Sequence, residues 1–225
     1  MKEMYLVAIV LLLASSFSQG GAITDYSLDE DANIVTNSVT GLQWLQWDET
    51  IGQSIDWFNN NPGAQSLRDA GWSVATNTQM AGLFNDFSFG GVVWDTNENT
   101  FQDAIGSRLS TSDVLTFISL FGDTSFGPST GPVTTFGRSR AHFGLDADGD
   151  GLINEVRVNN LVSGGSGVFV QIEADDELVT RSRSDIGLAL TRRVQVPEPS
   201  VLALLSLGLL GLRWRRVARR IPSWQ

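Results

Sequence analysis

The chain has 225 residues, with 25 acidic side chains against 15 Lys and Arg, one histidine and no cysteine. The formal net charge of −10 disfavours nucleic acid and anionic membrane surfaces as partners. Without cysteine there are no disulfides, no thiol chemistry and no Cys-zinc site, and one histidine is too few for a His/Cys metal centre.

Lys2 precedes an apolar run from Met4 to Ala14, followed by small and polar residues through Gly20, Gly21 and Ala22. This is the layout of a signal peptide over residues 1–22, with cleavage near Gly20 to Ala22. The other end carries Glu198 and the arginines at 213, 215, 216, 219 and 220. Setting both ends aside leaves residues 23–196, with 9 basic and 23 acidic residues, enough chain for one domain with a real core. Such an acidic body suits an extracytoplasmic domain and can attract divalent cations.

Asn33 to Thr36 reads as a short strand, and Ser38-Val39-Thr40-Gly41 as a turn. Leu42, Trp44, Leu45 and Trp47 fit a strand running into a bend. A first helix is expected from about Thr50, burying Ile51, Ile55 and Phe58 and ending at Asn59-Asn60-Asn61-Pro62-Gly63. After Gly71-Trp72-Ser73-Val74-Ala75-Thr76, the Thr76/Gln79 pair has capping-box spacing. The helix it heads places Met80, Leu83, Phe84 and Phe87 on one stripe, and Gly90-Gly91 ends the unit. A third helix is expected to hold Phe101, Ala104 and Ile105, with Thr100 as cap and Asp103 at the third position. A fourth has Ser110 as cap, a stripe of Val114, Phe117, Ile118 and Phe121, and Gly122 as its stop.

Beyond the Gly/Ser/Thr/Pro stretch 122–137 the period changes to two. Ala141, Phe143 and Leu145 alternate. Leu152, Val156 and Val158 do so beyond an Asp/Gly turn, then Val168, Val170 and Ile172, then Ile186, Leu188 and Leu190. These read as antiparallel strands joined by polar hairpins. Helices in the first half and an antiparallel sheet in the second predict an α+β fold.

At the C-terminus, Pro197-Glu198-Pro199 is followed by an uncharged run to Leu212 and then by Arg213, Trp214, Arg215 and Arg216. The 14 residues from Pro199 to Leu212 span about 21 Å as a helix, short of the ~30 Å hydrocarbon core. Snorkelling of Arg213 and an interfacial Trp214 extend that reach. With arginines on one side only, residues 213–225 are expected in the cytoplasm and the body outside. The order of motif, apolar helix and arginine cluster resembles the PEP-CTERM sorting signal, here residues 197–225. The resemblance implies an exosortase-type membrane protease as partner, transient anchoring in the inner membrane and release to the surface or extracellular matrix. Its motif residues here are Pro197, Glu198, Pro199, Arg213, Arg215 and Arg216. A plain membrane anchor is the other reading of the same tail.

The body carries a second resemblance. Thr40-Gly41-Leu42-Gln43-Trp44-Leu45, Gly71-Trp72-Ser73-Val74-Ala75-Thr76 and Ile186-Gly187-Leu188-Ala189-Leu190 resemble a group of exported PEP-CTERM proteins, themselves similar to Lcl-type domains with a C-type-lectin-like fold. Ser73 and Gln43 stand where that group has Arg and Glu. The resemblance implies a fold and a place in extracellular polysaccharide or biofilm, not a reaction.

Asp146, Asp148 and Asp150, with Gly151, match the front of an EF-hand-type calcium loop. Position 12 is Arg157 rather than an acid, so Ca2+ binding and a solvated Asp/Gly turn both account for these residues. The acidic run Glu173 to Glu177 reads as a solvated hairpin face or a second calcium contact. Trp44, Trp47, Trp57, Trp72 and Trp94 could pack in a core or stack on sugars. Trp94, beside Asp95 in a polar stretch, is the candidate for an exposed ligand contact. His142 reads as a surface or packing residue on a strand. No phosphate-cradling glycine loop precedes a helix in the required way, and no catalytic residues are assigned. The resulting expectation is a non-enzymatic surface or matrix protein, structural or carbohydrate-contacting. A secreted polysaccharide hydrolase and an uncleaved membrane-tethered binding module are the alternatives.

Overall fold

The computed structural model describes residues 22–97, 99–125, 137–144, 149–161 and 167–194. The chain divides into two units, Met1–Arg193 and Val194–Gln225, and the elements described here belong to the first. The segments read as a signal peptide (1–22, apart from Ala22) and as a sorting signal (197–225) lie outside the described residues. Among those described, no helix is long and apolar enough to cross a membrane.

The fold is α+β, built on two five-stranded sheets. The first takes β1 (Tyr26–Asp29), β2 (Ile34–Asn37), β3 (Leu42–Leu45), β4 (Ser73–Val74) and β10 (Leu190–Arg193), in the order β1-β2-β3-β10-β4. The second takes β5 (Gln102–Ile105), β6 (Gly137–Phe143), β7 (Leu152–Leu161), β8 (Gly167–Leu178) and β9 (Gly187–Leu188), in the order β5-β8-β7-β6-β9. Pairing is antiparallel throughout except between β6 and β9. The last strands change sheets at Ala189. Its N–H donates to the His142 carbonyl at 3.0 Å, and its own carbonyl accepts from Ala75 N–H at 2.8 Å.

Four α-helices are described: α1 (Ile55–Asn60), α2 (Gln65–Asp69), α3 (Asn77–Asp86) and α4 (Thr111–Phe121). The cap readings hold for the two longest. Thr76 and Gln79 form a reciprocal capping box at α3. At α4, Ser110 Oγ accepts from Asp113 N–H, and Gly122 at φ +90° ends the helix. The stripes of both helices are buried. They meet Ala141, Phe143, Val156, Val158, Val170 and Ile172 on the inner face of the second sheet. Phe117 is central to this core, with rings of Trp47, Phe84, Phe87, Phe89 and Phe121 within 5.7 Å of its own. A smaller cluster packs Leu45, Ile55, Phe58, Trp72, Ile153 and Leu190 together.

Three expectations are corrected. The predicted third helix is strand β5, whose residues Gln102 to Ile105 pair with Ile172 to Phe169. The Thr100/Asp103 spacing imitates a cap, but a cap is worth only about 1 kcal/mol, less than a ladder and a buried Ala104 together supply. Phe101 and Ile105, expected in that helix, are 54% and 55% exposed. The first helix starts at Ile55 rather than Thr50. Gly52 adopts φ +78°, and Ser54 Oγ accepts from Trp57 N–H to open α1 instead. Strands are not confined to the second half either, since β1 to β5 precede residue 106. The runs along β6, β7 and β8 fall where expected, with Leu145 outside the described residues, but the fourth run is split: Leu188 lies in β9, parallel to β6, Leu190 in β10 of the first sheet, and Ile186 in neither.

Candidate functional site

The outer face of the second sheet is charged. Alternation in β6 turns Ala141 and Phe143 to the core and places Arg138, Arg140 and His142 on the opposite face. β7 does the same with Glu155, Arg157 and Asn159 against Val156 and Val158, and β8 with Phe169 and Glu173 against Val168, Val170 and Ile172. A solvated sheet face would leave such residues in water. Here Arg140 is only 5% exposed, Asn159 1%, and His142 and Glu155 are fully buried.

Burial of charge requires pairing, and the pairing is extensive. Glu155 accepts from Arg140 Nε at 2.7 Å and from Arg157 Nε at 2.6 Å. Arg140 also reaches Asp185 at 2.5 Å, Arg138 reaches Asp185 at 3.4 Å, and Arg157 reaches Glu173 at 2.5 Å. Arg183 adds contacts to Glu177 at 3.5 Å and Asp185 at 3.7 Å. Burial alone would raise the Glu155 pKa, but the hydrogen bonds and charges of Arg157 and Arg140 hold it below the ordinary glutamate value.

This network borders a cleft of about 200 Å3 lined by Arg138, Arg140, Arg157, Asn159, Phe169 and Arg183. Among the described residues its walls carry guanidinium groups, one amide and one phenyl ring, and no carboxylate. The acids of the network are not among the wall residues. Phe169 is half-buried, and the Asn159 Oδ1 atom is buried without a hydrogen-bond partner.

Among the described residues, neither ring nitrogen of His142 has a hydrogen-bond partner. Burial lowers its pKa, against the opposing pull of Glu155 and Glu177, so the ring is neutral. His142, Glu155 and Glu177 each place one ligand atom within 4.8 Å of the others, which is near metal-binding geometry. The electrostatics oppose a dication there. Arg140 and Arg157 already hold Glu155, and Arg181 and Arg183 face Glu177.

The residues singled out from sequence fall elsewhere. Trp94 is not exposed: it is 2% accessible, its ring sits 5.0 Å from Phe84, and its Nε1–H donates to the Phe89 carbonyl at 3.2 Å. Asn85 draws the segment inward, with Oδ1 accepting from Trp94 N–H at 2.8 Å. Trp44, Trp47 and Trp72 are buried as well, and Trp57 is half-buried. Asp150 is exposed and accepts from Leu152 N–H at 2.8 Å, while Asp146 and Asp148 lie outside the described residues. The run Glu173 to Glu177 belongs to β8 rather than to a hairpin loop, because β8 pairs with β7 as far as Leu178. Pro197, Glu198, Pro199, Arg213, Arg215 and Arg216 lie outside the described residues. The arginine face itself was not anticipated. Its signal, charged residues at alternate positions of β6 and β7, has the same pattern as an ordinary solvated sheet face.

Residues 195–220 match the PEP-CTERM protein-sorting motif. That motif marks exported proteins that pass through a membrane-anchored stage, are processed by an exosortase and reach the cell surface. Comparison with curated proteins and with solved structures gives no match.

Proposed function

We propose that the chain is a non-enzymatic surface protein whose body contacts extracellular polysaccharide after the tail has been removed. The observation that carries this reading is the PEP-CTERM match over residues 195–220. The signal-peptide layout at the other end agrees with it, since both describe export. In this reading the inner membrane holds the 201–212 helix until an exosortase cuts near Pro197-Glu198-Pro199, and Arg213, Arg215 and Arg216 remain on the cytoplasmic side.

The body is read as C-type-lectin-like, with a binding role rather than a catalytic one. Two features support that reading. The motif strand β3 pairs with β10 close to the other end of the domain, and the Gly71–Thr76 motif leads through β4 into capped helix α3. The arginine-lined cleft gives the domain a place to hold a ligand.

The test is mass spectrometry of the mature chain, from cells with and without the exosortase. The expected product ends near residue 199 and is found outside the cell, and the uncut form accumulates in the membrane when the protease is missing. Recovery of intact residues 213–225 in surface-localised protein from the wild-type strain would overturn the sorting reading.

A further inference from the structure

We propose that the cleft on the outer face of the second sheet recognises a carboxylate-bearing sugar, such as a uronic acid residue of a polysaccharide. The inference rests on the carbohydrate-contacting reading above and names the sugar class it selects.

Three properties of the walls point to this chemistry. First, donors dominate. Arg138, Arg140, Arg157 and Arg183 all reach the cleft, and a planar guanidinium fork matches a carboxylate. The carboxylates that pair with them are not on the described walls, so an entering anion meets hydrogen-bond donors first. Fixed acids already orient the side chains, which lowers the entropy cost of binding. The network thus accounts for how four arginines converge on one cleft in so acidic a body.

Second, the site asks for a ligand that also donates. Asn159 is 1% exposed, and its Oδ1 has no partner. A buried acceptor without a partner is costly, and the amide gains by turning into the cleft to accept from a sugar hydroxyl. A bare inorganic anion has only acceptors to offer. Third, Phe169 supplies a half-buried aromatic ring beside the arginines, a surface for the C–H face of a pyranose. The volume of about 200 Å3 is small for a ligand cleft and suits one sugar ring rather than a longer buried chain. Carboxylate, hydroxyl and apolar ring face occur together in a uronic acid.

The experiment is calorimetric titration of the mature chain, purified from the exporting host, with oligogalacturonate, neutral oligoglucose, acetate and sulfate. Oligogalacturonate is expected to bind at least tenfold more tightly than oligoglucose and than either small anion, and more weakly as salt rises. Arg183→Gln and Phe169→Ala are the variants of choice, since the Arg183 side chain is 33% exposed and Phe169 is half-buried. Each should weaken oligogalacturonate binding about tenfold. Asn159→Leu, which removes the amide at similar volume, should weaken it several-fold; melting curves of all three variants confirm that they are folded. Equal binding of charged and neutral glycans overturns the proposal while leaving a carbohydrate-contacting role intact. Equal binding of sulfate and oligogalacturonate, unaffected by Phe169→Ala, reduces the cleft to a small-anion site and also overturns it. Absence of binding to all four probes does so outright. The sorting reading is decided separately by the tail.

Discussion

The two faces of the second sheet solve the same problem with opposite chemistry. Both are largely removed from water, but the inner face does it with Phe, Val and Ile against helices α3 and α4, and the outer face with Arg, Glu, His and Asn. The inner face gains free energy in proportion to the area it buries, and it tolerates imperfect geometry. The outer face roughly breaks even. Desolvation of each ion costs several kcal/mol, and only close pairing returns it. A buried charged face is therefore a poor device for stability and a good one for holding donors in fixed positions. That division of labour is why the outer face, and not the tryptophan-rich core, is the functional candidate.

The comparison breaks most visibly on single substitutions. Phe117→Ala removes the ring that touches five other aromatic rings, and should cost about 3–5 kcal/mol, seen as a fall in denaturation midpoint. Glu155→Gln keeps the shape but leaves Arg140 and Arg157 without the charge they share, and should cost about 3 kcal/mol. The distinction between the faces appears in the second step. Removing Arg140 together with Glu155, as in Arg140→Met with Glu155→Leu, should recover part of the Glu155→Gln loss, because Asp185 keeps Arg138 and Arg183 and Arg157 keeps Glu173. No such rescue exists for Phe117. If the double variant were as unstable as the single, the outer face would be contributing to stability as the inner one does.

What the sequence made legible divides along the same line. Apolar periodicity located α3, α4 and the inner positions of β6, β7 and β8, because burial of hydrophobic side chains is a local, patterned requirement. The helix caps were legible for the same reason, being set by residues three apart. The outer face was not. Arg138, Arg140, Glu155 and Arg157 carry the alternation of a solvated strand, and only the contacts of the arginines with Asp185 and Glu173, further along the chain, reveal burial. Strand β5 failed for a related reason: a four-residue edge strand depends on its partner β8, nearly seventy residues away, for its identity. Trp94 misled because the residues that follow it are polar, while its own ring is drawn inward by Asn85 and Phe89. The sorting motif over residues 195–220 was legible, since its recognition depends on linear order rather than on folding.

The smallest effect separates a paired buried carboxylate from an unpaired one. Glu155, held by arginines, has a lowered pKa, so its contribution is present at neutral pH and is lost as pH falls through its folded value. Asp48 is the counter-case. Its Oδ1 is buried without a partner, and burial, with the nearby charges of Glu49 and Asp123, raises its pKa to about 6. A carboxyl raised in the folded state keeps its proton longer there than in the unfolded chain. Stability from this group is therefore greatest at low pH and declines as pH rises from about 4 to about 6. Asp48→Asn removes the titration while keeping the shape. The substitution should raise the melting temperature by a few degrees at pH 7.5 and leave it nearly unchanged at pH 4, read from thermal unfolding at both values. A gain of equal size at both would mean that the ionised charge is not what the carboxyl costs the fold.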